Sequence, residues 1–331
     1  MKILINSILS EVKLYLSFGS FVPIKILGLY IIPALIVSNH IVFSLNGIIT
    51  AIALSFLNFL LVMINSYRDF DIDKIAHPSR PLPSGQITFI KARIYIILTT
   101  IIFIFLLVLT KSYVIITTSI VMLIYYNSLN YLKHSKVNKP IYSVLYGLAA
   151  PLFTGTFLYL VGYAIFMKHN IQLFLFSVAM ILLDIGHDSF QYILDREGDE
   201  KEEIITILKV FGEKKLIYLL LLCDILVLIF MLLFCYCFEI VLIVRFIFIG
   251  IITWLGLMLL ICDIKYLQNT KRENAIIGKL WHNWPLFALG ICLIGIKLKP
   301  DYFFIPFSIA LLIISYYDAR RRAYKDVYFF R

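Results

Sequence analysis

The sequence predicts an all-α membrane protein, a bundle of nine to ten transmembrane helices around a central cavity. Three observations lead there. Of 331 residues, 61% are apolar and only 15% are charged, against about 25% charged in ordinary soluble domains. Apolar runs recur along the whole chain, most of them near the roughly 20 residues that cross a hydrocarbon core as a helix. The cations between the runs fall mainly on one side of an alternating topology.

Taken in order, the apolar runs occupy 22–39, 41–64, 90–110, 112–129, 140–164, 171–193, 215–234, 239–261, 284–296 and 302–317, the ninth being the shortest. Ahead of them, residues 1–20 are amphipathic and lack a small-residue cleavage site, which reads as an interfacial lead-in helix with no removable signal peptide. No Gly/Ser linker or low-complexity tract interrupts the chain, so residues 1–331 are expected to form one domain.

The net charge of +10 marks topology and not a nucleic-acid footprint. With the N-terminus inside, Lys2, Lys13, the cations of 68–93, Lys133, Lys136, Lys139 and those of 196–215 and 265–279 all lie on the inner side. Only Lys111, Lys168, Lys297 and Lys299 lie opposite, with Arg245 just inside a helix. Ten crossings return the Arg320, Arg321 and Arg322 cluster to the inner face, as the positive-inside rule requires. An integral protein of the cell's inner or plasma membrane is expected, acting as a monomer with its chemistry on the cytoplasmic side, where the loops are long and polar.

Five cysteines, Cys223, Cys235, Cys237, Cys262 and Cys292, fall in apolar stretches without metal-type spacing, which points to core packing. No His-x-x-His or His-Glu pair occurs, so no transition-metal site is expected. His282, in Trp281-His-Asn-Trp284, reads as interfacial.

Two acidic clusters carry the chemistry. The first runs from Asn65 through Asp69, Asp71 and Asp73 to Arg80-Pro-Leu-Pro-Ser-Gly85. On a helix, Asn65, Asp69 and Asp73 share one face and Asp71 does not. The second places Asp184, Asp188, Gln191, Asp195 and Asp199 on one face at spacings of four, three, four and four. Asp184 and Asp188, with His187 beside them, lie deeper in the membrane, where ionisable groups are costly and mark functional sites. Carboxylates on one stripe repel unless a cation neutralises them. Hard oxygen ligands that leave room for phosphate suit Mg²⁺. The two clusters also echo one another, since Asn65/Asp69 and Asp195/Asp199 each end a helix on the same side of the membrane.

These residues resemble the UbiA superfamily of intramembrane prenyltransferases. Its first signature, Asn-Asp-x-x-Asp-x-x-x-Asp followed by Arg-Pro-x-x-Ser-Gly, is met by Asn65, Asp69, Asp73, Arg80, Pro81, Ser84 and Gly85. Its second, Asp-x-x-Gly-Asp-x-x-x-Gly-x-x-Thr, is met by Asp195, Gly198, Asp199 and Thr206. Ser66 replaces an Asp, Glu203 replaces a Gly, and the interval from Tyr126 to Lys133 is longer than the family's Tyr-x-x-x-Lys. No arginine precedes Arg68, which disfavours a benzoate acceptor. A tenth helix would exceed the family's usual nine.

The resemblance implies Mg²⁺-dependent transfer of a prenyl group from an isoprenoid diphosphate to an aromatic, quinoid or other lipophilic acceptor. It makes Asn65, Asp69, Asp73, Asp195 and Asp199 the metal-binding set. Asp69, Asp73, Asp195, Asp199 and Lys133 become catalytic, with Asn65, Arg68, Arg80, Lys133 and Arg196 on the diphosphate. Asp184, His187, Asp188, Gln191 and Tyr126 would line the acceptor or prenyl pocket. Membrane lipids surround the site, and no nucleic acid takes part. Two other outcomes remain open: a UbiA-type terpene cyclase acting on the same diphosphate, and a cation-coupled transporter using Asp184, Asp188 and Asp195 as an ion path.

Overall fold

The computed structural model describes residues 2–19, 29–30, 32–34, 36–37, 44–135, 139–237 and 242–282. The described residues form helices and the turns between them, with no strand. An amphipathic α1 (Lys2–Phe18) leads to α2 (Leu45–Arg68), the short α3 (Phe70–Ala76), and then α4 (Phe89–Leu109), α5 (Tyr113–Lys133) and α6 (Pro140–Phe166). The long α7 (Ile171–Lys201) is followed by the short α8 (Ile207–Phe211), by α9 (Glu213–Tyr236) and by α10 (Leu242–Gln268). Helical residues 272–282 form α11.

Seven described helices are long and apolar enough to span a membrane: α2, α4, α5, α6, α7, α9 and residues Ile249–Gln268 of α10. They match seven of the ten expected runs. Most of run 22–39 and all of 284–296 and 302–317 lie outside the described residues, as does Cys292. On α4 one face points outward, with Ile90, Ile94, Ile97, Ile101 and Ile104 all exposed. That is the composition of a lipid-facing surface.

Helix ends follow local chemistry. Ser44, Thr88 and Asn170 cap α2, α4 and α7 by accepting from the backbone N–H three residues on. Helix α2 ends at Asp69, where ψ swings to 16° and α3 begins, so the polar stretch turns without a proline. Thr206 caps α8 by accepting from Lys209 N.

Helix α7 is the centre of the assembly, packed between α6 and α9, with α3 lying across its C-terminal end. Glycine permits the closest approaches. A Cβ on Gly155 would sit 2.5 Å from the Ser177 carbonyl, and one on Gly198 would sit 3.0 Å from the Ile72 carbonyl. Small residues at such crossings let backbones touch where lipid offers no hydrophobic drive to associate. Helix α1 packs through Tyr15 and Phe18 against Phe59 and Tyr95, and Lys91 on α4 binds Glu11 at 2.7 Å. Cys223, Cys235 and Cys262 are buried as core-packing residues, whereas Cys237, the C-cap of α9, is exposed, so core packing does not describe it.

Candidate active site

The break at Asp69 sorts the first acidic cluster. Asp69 and Asp73 turn inward and are buried, while Asp71 stays on the surface, 3.8 Å from Lys74. Asp69 accepts from Asn65 Nδ2 at 2.7 Å, from His134 Nε2 at 2.7 Å, and from Lys133 Nζ at 3.3 Å. Burial works to raise the Asp69 pKa, but the cationic Lys133 and the His134 bond outweigh it and hold the carboxyl below its usual range. Asp73 Oδ1 accepts from Arg80 at 2.6 Å. There burial prevails over the guanidinium, and the Asp73 pKa is raised. Burial pulls on Arg80 in the opposite sense, yet Asp73 and Asp195 keep its pKa raised.

The second cluster meets the first directly. His77 closes α3, and its Nε2 donates to Asp195 Oδ1 at 2.7 Å. Gln191, one turn before, donates to both oxygens of Asp195 at 2.7 Å. Asp199 is buried one turn further on, within electrostatic reach of Lys133 and Asp195. Carboxylates from sequence-distant segments are thus interleaved with Arg80, Lys133, His77 and His134.

Around this centre, α5 and α6 supply a polar and aromatic wall. Asn65 Oδ1 accepts from Tyr146 at 2.7 Å and Asn130 at 3.2 Å. The Tyr126, Phe153 and Phe157 rings continue from Tyr146 at centroid separations of 5.7, 5.6 and 5.9 Å, forming a buried aromatic column along α5 and α6. A cavity of about 140 Å³ opens beside the site, bordered by Asn65, Ser66, Arg80 and Tyr126. Asp184, His187 and Asp188 are half-buried on the same helix as Asp195. Asp188 lies close enough to interact with Tyr126, and His187 Nδ1 donates to the Lys279 carbonyl at 3.2 Å.

Two cations named from sequence sit apart from the acids. Arg68 donates to the Asn127 carbonyl at 3.0 Å, and Arg196 is half-exposed, bound to Glu200 at 2.7 Å and Glu213 at 3.3 Å. Five contributors escaped the sequence reading: His77 as an inter-cluster link, His134, Asn130, Tyr146 and Lys279, which binds Gln191 Oε1 from α11. Only His134 left a signal, standing next to Lys133.

The donor set fits Mg²⁺. Asp73 Oδ2 is buried without a hydrogen-bond partner among the described residues, an orphaned hard oxygen beside Asp69. Such a group is costly unless a cation or donor meets it.

A model of the UbiA prenyltransferase family matches residues 27–283. The chain belongs to the UbiA prenyltransferase family. Two curated proteins, both digeranylgeranylglyceryl phosphate synthases, are similar. That of Methanosphaera stadtmanae is 31% identical over 166 residues, 49% of this chain and 57% of the relative. That of Methanocaldococcus jannaschii is 31% identical over 192 residues, 57% of this chain and 63% of the relative. The chain thus spans about three-fifths of the length of these curated relatives.

Solved structures share the UbiA fold. One, from work on digeranylgeranylglyceryl phosphate synthase in membranes, aligns with a TM-score of 0.62 at 21% identity, over 88% of this chain and 99% of that one. The apo UbiA homologue from Aeropyrum pernix K1 aligns at 0.59 and 17% identity, over 84% and 98%. The Archaeoglobus fulgidus homologue bound to GPP and Mg²⁺ aligns at 0.54 and 14% identity, over 85% and 99%. At these identities the likeness is one of fold.

The family's second signature explains an oddity of the backbone. Glu203 stands where that signature has glycine, and it adopts φ 54°, a left-handed conformation that glycine takes without penalty. The chain keeps the bend while its residue has changed.

Proposed function

We propose that this protein transfers a prenyl group from an isoprenoid diphosphate to a lipophilic acceptor at the cytoplasmic side of the membrane. The observation that carries the reading is the bond from His77 to Asp195, which brings both acidic signatures into one buried site. Two carboxylate sets with Arg80 and Lys133 between them form the charge pattern that a magnesium diphosphate would complement.

Asp69, Asp73, Asp195 and Asp199, assisted by Asn65, would hold Mg²⁺. When bound, Mg²⁺ supplies Lewis-acid stabilisation of the departing diphosphate. The chain's own residues do the rest. Arg80 and Lys133, now engaged by Asp73 and Asp69, offer preorganised positive charge to the phosphate oxygens as negative charge builds on the leaving group. Tyr146 and Asn130 fix the Asn65 side chain. The allylic C–O bond breaks with its electron pair leaving on the diphosphate, and the acceptor forms the new bond to the allylic carbon as it loses its proton. The aromatic column of Tyr126, Phe153 and Phe157 presents ring faces beside the site, able to steady a cation and to exclude the water that would quench it.

For the acceptor, the relatives' name describes a glyceryl phosphate carrying geranylgeranyl chains, and we propose a prenylated glyceryl phosphate hydroxyl on that ground. The lack of any arginine before Arg68 agrees with an acceptor other than a benzoate. The test is incubation of the purified protein with Mg²⁺ and geranylgeranyl diphosphate, with geranylgeranylglyceryl phosphate or a phenolic or quinoid acceptor, read by mass spectrometry. A doubly prenylated glyceryl phosphate is expected. Transfer only to phenols would reject the acceptor class, and release of cyclic hydrocarbon without any acceptor would replace transfer by cyclisation.

A further inference from the structure

A second cluster of ionisable side chains lies away from the prenyl site, on α9, α10 and α11. Asp224, Asp263 and His282 are 1%, 0% and 0% exposed. One ligand atom from each lies within 4.8 Å of the other two. His282 Nε2 is 3.2 Å from Asp224 Oδ1 and 3.9 Å from Asp263 Oδ1, and neither approach has hydrogen-bond geometry. All four carboxylate oxygens and Nε2 are buried with no hydrogen-bond partner among the described residues.

The imidazole is fixed in orientation. Its Nδ1–H donates to the Gly278 carbonyl at 2.8 Å, the outer bond that typically orients a metal-binding histidine. In the neutral ring this leaves the Nε2 lone pair facing two carboxylates. On α7, Gly186 makes room for the ring, because a Cβ there would meet His282 Cδ2 at 1.9 Å. Asp224 stands midway along the apolar α9 and Asp263 near the end of α10, both within membrane-spanning segments.

We propose that Asp224, Asp263 and His282 bind a structural divalent transition-metal ion of the zinc class. Charge is compatible with a divalent ion: two carboxylates and a neutral imidazole are balanced by +2, and the competing arrangement is a proton shared between the carboxylates beside an imidazolium. A buried cluster left with unbalanced charge is strongly disfavoured. The nitrogen ligand favours zinc-class ions over Mg²⁺, which prefers all-oxygen sites. Ligands about 2.1 Å from a tetrahedral ion lie about 3.4 Å apart, so side chains whose ligand atoms now lie within 4.8 Å of one another would draw in by up to about 1.4 Å to close the site. The ion would pin α9, α10 and α11 together behind Gly186 of α7. The three ligands come from three helices, and for that reason no metal-type spacing exists in the sequence.

The test uses full-length protein in detergent, purified without a metal-affinity step, loaded with Zn²⁺ or Co²⁺ and dialysed. Elemental analysis should find about one equivalent of bound ion, and Co²⁺ should give visible d–d absorption. Asp224→Asn and His282→Gln should each lose the ion, and Asp69→Asn should keep it. Chelation should lower the wild-type Tm, with Zn²⁺ restoring it in the presence of excess Mg²⁺. Wild-type protein that retains no ion after loading would overturn the proposal in favour of a proton-bridged cluster, whatever the variants do. Loss of the ion in Asp69→Asn with retention in Asp224→Asn would overturn it as well.

Discussion

His77 Nε2 lies 2.7 Å from Asp195 Oδ1, so the loop of the first acidic signature is tied to the helix of the second across 118 positions of sequence. Both partners are largely buried, where a hydrogen bond to a charged group contributes about 1.5–3 kcal/mol. His77→Ala should therefore lower kcat/KM for the prenyl diphosphate by roughly 10- to 100-fold. Steady-state kinetics with the wild-type comparison decides it; an unchanged value would mean that the clusters hold their places without this bond.

Gly198 is the contact point behind that bond. An added Cβ would press on Ile72 Cγ2 at 2.9 Å and on the Ile72 carbonyl at 3.0 Å. Neither helix backbone can yield without moving an acidic set. Gly198→Ala should cost about 1–3 kcal/mol of stability by overpacking and should weaken diphosphate binding. Thermal unfolding and a binding isotherm, run together, measure both.

Glu203 offers the opposite case. It is exposed and holds φ 54°, a region that costs a non-glycine residue about 1–2 kcal/mol. Glu203→Gly should raise stability by up to about 1 kcal/mol, partly offset by the greater chain entropy of unfolded glycine. A higher Tm with unaltered turnover is the expected outcome, and a lower Tm would show that the Glu203 side chain contributes more than the strain removes.

Lys133 and Arg196 should separate sharply. Lys133 is buried on Asp69, and Arg196 is half-exposed between Glu200 and Glu213. Exposed ion pairs contribute about 0–1 kcal/mol, so Arg196→Ala should change kcat/KM by less than about fivefold. Lys133→Ala leaves buried carboxylates uncompensated, worth about 3–5 kcal/mol, and should cost more than 100-fold. Comparable losses in both variants would place Arg196 at the diphosphate after all.

Metal removal gives the last prediction. EDTA should abolish diphosphate release and added Mg²⁺ restore it, whereas Asp69→Asn and Asp199→Asn should stay inactive at any Mg²⁺ concentration while keeping wild-type helicity by circular dichroism. Full activity in either variant would contradict the metal-binding set.

Much of this was legible in sequence because the relevant spacings are local. Asn65, Asp69 and Asp73, like Gln191, Asp195 and Asp199, recur at helical period within one segment, so one face of a helix could be drawn before any packing was known. Seven of the apolar runs likewise became membrane-length helices, because length and hydropathy alone decide whether a segment can satisfy its backbone in lipid. Arg196 marks the boundary of that reasoning: it neighbours Asp195 in sequence, but about 100° round the helix it leaves the acidic face and binds Glu200 and Glu213 instead.

The sequence by itself determined the class of protein, the helical segments and the two carboxylate stripes, since each follows from period and composition. Only the tertiary structure decided which cations meet which acids, that His77 joins the stripes, that Tyr146, His134 and Lys279 bond Asn65, Asp69 and Gln191, and that Asp224, Asp263 and His282 converge. Single polar residues on separate helices carry no periodicity. They become a site only when close packing brings their helices together and excludes the water that would otherwise have satisfied each one alone.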